Sequence, residues 1–244
     1  MATATFRFHH ELNEFLAPDR RGREFAVACP DGATAKHMIE ALGIPHTEVA
    51  ALQVNGRDAG FDQRLEDGDR VEIHPANGSV LPNHRLRGPI TQPPRFVADA
   101  HLGGLARLMR MAGFDTLYDN GYADDRIEAI AVQESRIVLS RDRELLKRRA
   151  ILHGCFPHAI DPPGQFREVR ARFGLAPLAR PFTRCLACNA PLRDIDKRQV
   201  LERLPASVRV HQQAFRICDA CRRVYWQGSH WRHMRDLLAT LLAT

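Results

Sequence analysis

Residues 136–142, in the middle of the chain, have the sequence Arg-Ile-Val-Leu-Ser-Arg-Asp. Its apolar residues are consecutive rather than alternating, which is typical of a strand buried on both faces of a parallel sheet. The polar pair Arg141-Asp142 ends the strand, and the residues that follow predict a helix that runs through Ala150. Because helices cover the faces of a parallel sheet, this stretch indicates an α/β domain.

The same order of strand and helix occurs on the N-terminal side of this stretch. Short apolar strands alternate there with helical segments: strand 96–98, helix 102–112, strand 114–118 and a helix that begins at Asp124-Asp125. The first of these helices is amphipathic and is closed by Gly113, a residue that commonly ends helices. Repeated βαβ units predict a parallel sheet with helices on its faces.

Several carboxylates lie at positions that such a sheet would bring close together. Asp99 follows the first strand, Asp142 follows the third, and Asp124 and Asp125 start the helix between them. Ligand sites in open parallel sheets form outside the carboxyl ends of the strands, so we expect Asp99 and Asp142 at one rim. Clustered carboxylates repel one another unless a hard cation neutralises them, which predicts Mg²⁺ or Mn²⁺ at this rim. Helix capping by Asp124, Asp125 or Asp142 is the open alternative.

Four of the six cysteines form two C-x-x-C pairs: Cys185, Cys188, Cys218 and Cys221. Two cysteines at that spacing lie on one tight turn and reach one tetrahedral zinc ion, and a second such turn leaves no open position. The pattern therefore predicts a closed, structural Zn²⁺ site, with redox dithiols or an iron–sulfur cluster as the alternatives. Cys29 and Cys155 are predicted to be small buried residues.

The charge and the hydropathy of the chain limit its partners and its location. The net charge is +6, and arginines crowd residues 167–235 while acids are sparse there. A basic surface favours an anionic partner, usually nucleic acid, although a solvated surface without a partner has the same composition. The sequence has no apolar run long enough to span a membrane, and residues 1–8 lack the pattern of a secretory signal. We therefore expect a cytoplasmic protein that makes no membrane contact.

Residues 1–80 predict a separate α+β domain with the order strand, strand, helix, strand, strand. The second half of this domain contains a pattern that resembles ubiquitin-like β-grasp proteins of the sulfur-carrier type. The pattern consists of Val54-Asn-Gly, Leu65, Asp67-Gly-Asp and Val71-Glu. A working carrier ends in a reactive Gly-Gly tail, whereas here the last strand continues into Pro75 and more protein. We expect a docking or regulatory module for a protein partner, isolated by a linker so that the remainder folds without it. A solubilising appendage is the alternative.

Three blocks of sequence resemble one family. Residues 96–107, Phe-Val-Ala-Asp-Ala-His-Leu-Gly-Gly-Leu-Ala-Arg, are similar to the opening block of the Mut-seven C-terminal RNase family, a PIN-like group. Residues 136–142 are similar to its "RI.LTRD" block, and residues 218–231 to its closing "C..C...YW.GSHW" block. The resemblance implies metal-dependent RNA cleavage, with Asp99, Asp125 and Asp142 as the metal-binding acids and Asp124 as the alternative to its neighbour.

The resemblance also suggests roles for residues around the acids. Arg107 and Arg141 are implied to hold phosphate, or else to form salt bridges with the same acids. Ser140 stands where the family usually has threonine, and its hydroxyl would orient a water or a carboxylate. The aromatic pairs of the closing block, Tyr225-Trp226 and His230-Trp231, either stack on unpaired bases or pack the zinc module onto the core.

The predicted organisation has four parts: a ubiquitin-like domain at 1–80, a linker at 81–94, a PIN-like nuclease domain at 95–176 and a zinc-ribbon module at 177–244. The leading hypothesis is a metal-dependent ribonuclease in which Mg²⁺ or Mn²⁺ activates a water for phosphodiester hydrolysis of RNA. The alternative is a non-catalytic, zinc-containing RNA-binding adaptor. A sulfur-transfer partner is disfavoured because the Gly-Gly end is missing.

Overall fold

The computed structural model describes residues 2–75, 86–88, 90 and 92–243. The chain forms two compact units, each built from two separate stretches of sequence. The first unit comprises Met1–Gln92 with Asp124–Phe156, and the second unit comprises Pro93–Ala123 with Pro157–Thr244. The predicted linker at 81–94 lies partly outside the described residues, and the four domain boundaries stay a prediction.

Short strands and helices make up the secondary structure of the described residues. The strands are β1 Ala2–Phe8, β2 Phe25–Cys29, β3 Val49–Val54, β4 Arg57–Asp58, β5 Arg70–Pro75, β6 Phe96–Ala98, β7 Thr116–Tyr118, β8 Ile137–Leu139, β9 Gly154–Cys155, β10 Leu192–Ile195, β11 Phe215–Cys218 and β12 Val224–Trp226. The helices are α1 Ala35–Ala41, α2 Gly103–Met111, α3 Asp124–Glu134, α4 Arg143–Lys147, α5 Pro162–Phe173, α6 Ala206–His211 and α7 Ser229–Ala243. Short 3₁₀ turns lie at His10–Phe15, Pro18–Arg20, His46–Glu48, Ala100–Leu102, Ala176–Leu178, Lys197–Gln199 and Leu201–Arg203.

A five-stranded mixed sheet in the order β2-β1-β5-β3-β4 organises the N-terminal part of the first unit. β1 runs parallel to β5 and antiparallel to β2, as a β-grasp requires. Alternate residues of the strands, among them Phe6 and Ile73, face a buried core that α1 covers. Helix α1 begins where the Thr34 hydroxyl accepts a hydrogen bond from the His37 N–H at 3.2 Å. The predicted α+β ubiquitin-like architecture is confirmed.

The second stretch of the first unit packs against this domain. The Phe156 N–H donates to the buried Glu48 carboxylate at 3.0 Å, and His46 Nε2 lies 3.0 Å from the Ile151 carbonyl oxygen. The Arg143 guanidinium lies 5.0 Å from the centre of the Phe15 ring. The expectation that a linker isolates the ubiquitin-like domain was therefore wrong, because residues of that domain satisfy polar groups of the 143–156 stretch.

Parallel strand pairs and their helices confirm the predicted α/β character. In the first unit β8 pairs with β9, and all three residues of β8 are buried. In the second unit β6 pairs with β7, with Phe96 opposite Thr116. The predicted continuation of the third helix through Ala150 was wrong, because α4 ends at Lys147 where Arg148 adopts an extended ψ of 129°.

The cysteine-containing part of the second unit is a three-stranded antiparallel sheet in the order β10-β11-β12, followed by α7. Buried polar side chains fasten it to α2 and β7. Arg110 is buried and donates to the carbonyl oxygens of Thr116 at 2.8 Å and Ala187 at 2.9 Å. Asn189 accepts from the Thr116 N–H at 2.9 Å and donates to Asp115 at 2.7 Å.

Among the helices of the described ranges, none combines the length and the apolarity that a membrane crossing needs.

Candidate functional site

The two C-x-x-C turns have the same backbone geometry. In each turn the amide four residues after the first cysteine donates back to that cysteine's carbonyl oxygen, at 3.0 Å from Asn189 to Cys185 and at 2.8 Å from Arg222 to Cys218. Asn189 and Arg222 both have a positive φ, 70° and 63°, which reverses the chain direction. Each first cysteine in turn donates its N–H to the residue five positions later, at 2.8 Å and 2.9 Å. The sequence therefore forms two knuckles of equivalent backbone geometry.

The knuckles bring the four sulfur atoms within 4.8 Å of one another. Cys185 Sγ lies 3.5 Å from Cys221 Sγ, and Cys188 Sγ lies 3.3 Å from Cys218 Sγ. A disulfide would require about 2 Å, and a tetrahedral Zn–S₄ site separates its sulfurs by roughly 3.8 Å. The cysteines are free thiols with the spacing of a closed metal site, so the donor set fits zinc.

Hydrogen bonds around Cys185 favour the thiolate form of its sulfur. Burial raises the pKa of Cys185, but hydrogen bonds from the Tyr225 hydroxyl and from two backbone N–H groups outweigh it and lower the pKa to about 6. The Tyr225 hydroxyl lies 3.1 Å from Cys185 Sγ, and burial together with this contact raises the pKa of the phenol. Tyr225 therefore stays protonated and donates to the sulfur, which stabilises the charged form that binds metal.

Asp142 stands at the amino end of α4 in the first unit. Its Oδ1 accepts hydrogen bonds from the N–H groups of Glu144 at 2.7 Å and Leu145 at 3.3 Å, so the capping alternative is correct for this atom. Within the described residues Oδ2 has no protein partner, and the side chain is exposed. The buried Ser140 hydroxyl accepts from the Asp142 N–H at 2.9 Å, and this bond fixes the backbone of the aspartate. One carboxylate oxygen is thus anchored while the other remains open to a ligand.

Asp124 and Asp125 both form ion pairs with the guanidinium of Arg148. The Arg148 guanidinium lies 2.5 Å from Asp125 Oδ1, 3.5 Å from Asp124 Oδ2 and 2.8 Å from Glu128 Oε2. The hydrogen bonds that Arg148 donates to Asp125 and Glu128 raise its pKa, and the charges of Asp125 and Asp124 add to this effect. No sequence motif marks Arg148, which lies just beyond the family block at 136–142. A metal ion that used Asp125 would have to compete with this ion pair.

Asp99 belongs to the second unit, where it directly follows β6. Its side chain accepts from the Ala100 N–H at 2.6 Å, and it is 8% exposed. The Tyr118 hydroxyl donates to the Ala100 carbonyl oxygen at 3.1 Å, which fixes the same turn. Asp99 is therefore a nearly buried carboxylate held at the carboxyl end of a strand, the position that the sequence predicts.

Arg107 and Arg141 are both exposed. Neither guanidinium has a hydrogen bond or an ion pair with any of the residues that the structure describes. The salt-bridge alternative for these two residues is not supported within that part of the chain, and their positive charges remain available to an anion.

The aromatic residues of the closing block border a cavity of about 740 Å³ in the second unit. Tyr225 binds the Cys185 sulfur, and the Trp231 ring packs on Phe182 with ring centres 5.1 Å apart. Trp226 packs against the buried cluster that contains Phe215. Packing is therefore one role of these residues, yet Tyr225, Trp226 and Trp231 remain only half-buried along the cavity wall.

A second group with metal-ligand chemistry lies on the sheet of the ubiquitin-like domain. His9, Glu72 and His74 bring ligand atoms within 4.8 Å of one another. The imidazole rings of His9 and His74 are stacked, with centres 4.3 Å apart and planes 7° apart. Burial and the nearby His9 lower the pKa of His74. No sequence motif marks this group, because the three residues meet only when β1 and β5 pair.

Comparisons with known proteins add two family matches. The model of the Mut7-C RNAse domain matches residues 94–238, and the model of the Mut7-C ubiquitin domain matches residues 1–80. No curated protein matches the chain.

Two solved structures each match 31% of this chain. A putative molybdopterin converting factor, subunit 1, from Pyrococcus furiosus is 19% identical with a TM-score of 0.25, and the match covers 31% of this chain and 98% of that one. The H. volcanii small archaeal modifier protein 1 is 17% identical with a TM-score of 0.26 and the same coverage of both chains, 31% and 98%.

Proposed function

Because the chain belongs to the Mut7-C RNAse domain family, we propose that it is a metal-dependent ribonuclease that hydrolyses phosphodiester bonds of RNA. The observation that carries this proposal is the family match itself, which extends over residues 94–238 and includes every candidate acid and all four clustered cysteines. For the preceding Mut7-C ubiquitin domain, we propose a docking or regulatory role toward a protein partner.

Asp99, Asp125 and Asp142 are the proposed catalytic acids, with Asp124 as the alternative to Asp125. Three features support Asp142 most strongly: it is exposed, one of its oxygens is anchored by backbone amides, and the other has no described protein partner. Asp99 has the corresponding place after β6. The proposal that these acids share one cation rests on the sequence order and the family, since carboxylate oxygens suit Mg²⁺ and Mn²⁺.

A bound divalent ion would supply an activated water and would stabilise negative charge that develops on the phosphate. The protein side chains would orient the site. Ser140 holds the backbone of Asp142 in position, and the free guanidinium of Arg141 lies next to it in sequence, ready to bind a phosphate oxygen. The zinc knuckles would stabilise the fold without touching the reacting atoms, because four thiolates leave no open position on zinc.

The test is cleavage of a labelled RNA pool with and without Mn²⁺. Asp142→Asn keeps the size of the side chain and removes its charge, so it should lower metal-dependent cleavage by about 100-fold. Glu144→Gln is the matched control, since Glu144 is another acid at the start of α4, has a side chain that is 79% exposed and, among the described residues, forms an ion pair only with Lys147. Unchanged cleavage by Asp142→Asn would contradict the assignment. RNA binding without cleavage in any divalent ion would instead support the adaptor hypothesis.

A further inference from the structure

The wall of the cavity in the second unit carries both aromatic rings and positively charged side chains. It measures about 740 Å³, and its wall includes Arg107, Phe182, Arg216, Arg223, Trp226 and Trp231. Ligand pockets in proteins are commonly on the order of 300–1,000 Å³, so the space suits one or two nucleotide-sized groups. The wall combines residues from α2, β12 and α7 with the chain around Phe182.

The charges of this wall are only partly neutralised. Arg216 lies 3.1 Å from Asp194, and Arg184 lies 3.4 Å from Asp115, so each of these guanidinium groups has an acidic partner. Arg107 and Arg223 are exposed, and within the described ranges neither side chain has a hydrogen bond or an ion pair. The surface of the cavity therefore carries uncompensated positive charge, which favours an anion.

The aromatic rings of the wall are fixed by their neighbours. Trp231 packs on Phe182, and the Arg235 guanidinium lies 5.6 Å from the centre of the Trp231 ring. Trp226 packs against the buried cluster of the three-stranded sheet. Both tryptophans are half-buried, so each is held in place while part of its surface remains accessible. Rings that are already immobile lose little conformational freedom when another ring stacks on them.

We propose that this cavity binds unpaired nucleotides of single-stranded RNA, with the tryptophans contacting bases and the two free arginines contacting phosphates. The inference deepens the proposed ribonuclease function by assigning the form of RNA that the chain holds. An unpaired base exposes its π-face for stacking, whereas the bases of an A-form duplex are stacked on one another and are not available to a cavity wall. An uncharged apolar ligand would leave Arg107 and Arg223 without a partner.

The chain contains two tryptophans, and both line this cavity, so intrinsic fluorescence reports on it directly. The experiment titrates the full-length Asp142→Asn variant, which prevents cleavage, with a single-stranded RNA decamer of mixed sequence and with the same sequence as a blunt duplex. We expect the single strand to quench the emission saturably and the duplex to bind at least tenfold more weakly. Equal affinity for the duplex, or binding of the single strand without a change in emission, would overturn the inference.

Charge variants give a second readout that does not depend on repacking the wall. Arg223→Gln removes a free guanidinium from the cavity, and Arg198→Gln removes an exposed arginine of the same zinc module that does not line it. Arg223→Gln should weaken single-strand binding about fivefold or more and reduce the slope of log affinity against log salt by about 0.7, the contribution of one single-strand phosphate. Arg198→Gln should leave both unchanged. Equal effects of the two variants would overturn the inference.

Trp226→Leu tests the stacking contact, with zinc content and the thermal midpoint as checks of folding. We expect at least tenfold weaker binding in a protein that retains its zinc. The two proposals fail separately in these assays. A wild-type protein that cuts RNA without any quench contradicts only the cavity assignment, and a protein that shows the quench and the Arg223 effect but never cuts contradicts only the ribonuclease proposal.

Discussion

At the scale of single residues, the four cysteines are the strongest link between sequence and structure. The C-x-x-C spacing alone predicted that they meet, and the two knuckles have matching hydrogen bonds. The local pattern was sufficient because each pair is held by a turn of its own. The partners of the site were not predictable in this way, since Tyr225 reaches Cys185 only when β12 is in place.

Cys218→Ser tests the metal site. Metal binding supplies much of the folding free energy of small zinc modules, on the order of 10 kcal/mol, so loss of one thiolate should release zinc and unfold the three-stranded sheet. The purified wild-type protein should carry about one zinc per chain by metal analysis. A Cys29→Ser variant, which alters a buried cysteine outside the cluster, should retain the metal. Full zinc occupancy in Cys218→Ser, or an iron chromophore in the wild type, would contradict the site.

Substitution of Gly113 tests the close approach between this residue, which lies just after α2, and the backbone of Arg180. The φ of Gly113 is 96°, and an added Cβ would collide with the Arg180 carbonyl. Gly174 has a similar positive φ of 60° but open space around it. Gly113→Ala should therefore lower the free energy of unfolding by about 3 kcal/mol or more, and Gly174→Ala by only about 1–2 kcal/mol. Thermal midpoints measure the difference, and equal losses would show that the collision is relieved at no cost.

At the scale of elements, the sequence predicted those whose signal is local. The strand at 96–98 was correctly bounded, because it is a short apolar run with clear breaks on both sides. Helix α5 was missed, although Asp161 caps it and Pro162 follows, which is an ordinary start signal. The ion pair between Arg148 and α3 could not be predicted, since it depends on how the turn after α4 meets the start of another helix.

The pairing of β1 with β5 should make the first unit less stable in acid. Burial first, and then repulsion from His9, lower the pKa of His74, while Glu72 opposes them. Burial and Arg87 likewise lower the pKa of His153. A histidine with a lowered folded pKa contributes stability that is complete above its unfolded pKa of about 6.5 and is lost as the pH falls through the folded pKa.

The expected result is a lower thermal midpoint at about pH 5 than at pH 7.5, with a smaller loss in His74→Gln than in the wild type. Comparison of the two proteins under identical conditions removes any shared effect of zinc release. His37→Gln is the control, because His37 is exposed on α1 of the same domain. A wild-type loss that His74→Gln fails to reduce would exclude His74 as its source.

At the scale of the whole molecule, the ubiquitin-like domain is part of the architecture rather than an appendage. It supplies Glu48 and His46 to the 143–156 stretch and shares a compact unit with it. The turn-forming residues at 81–94 suggested, from the sequence, that the domain is separable. Such residues give no information on the contacts that the domain makes elsewhere. The same stretch carries α4 and the cap formed by Asp142, so the domain supports the segment that holds a candidate catalytic acid.

Deletion of residues 1–80 should therefore destabilise residues 124–156, seen as faster amide hydrogen exchange and faster proteolysis there. Glu48→Ala is the point variant for the same contact, since it leaves the Phe156 N–H without its acceptor and should cost about 1–3 kcal/mol. Glu66→Ala alters an exposed acid of the same domain and should cost little. A truncated protein with unchanged exchange at 124–156 would show that these contacts are dispensable.

The decisive measurement for the molecule is the rate of Mn²⁺-dependent RNA cleavage by the wild-type protein and by an Asp99→Asn, Asp142→Asn double variant purified in the same way. Loss of two carboxylates should abolish cleavage, at least about 100-fold, because the catalytic cation would lose its ligands. Single-stranded RNA binding and zinc content should remain, since basic side chains hold the phosphates and cysteines hold the zinc. Equal cleavage by the two proteins would contradict the ribonuclease proposal.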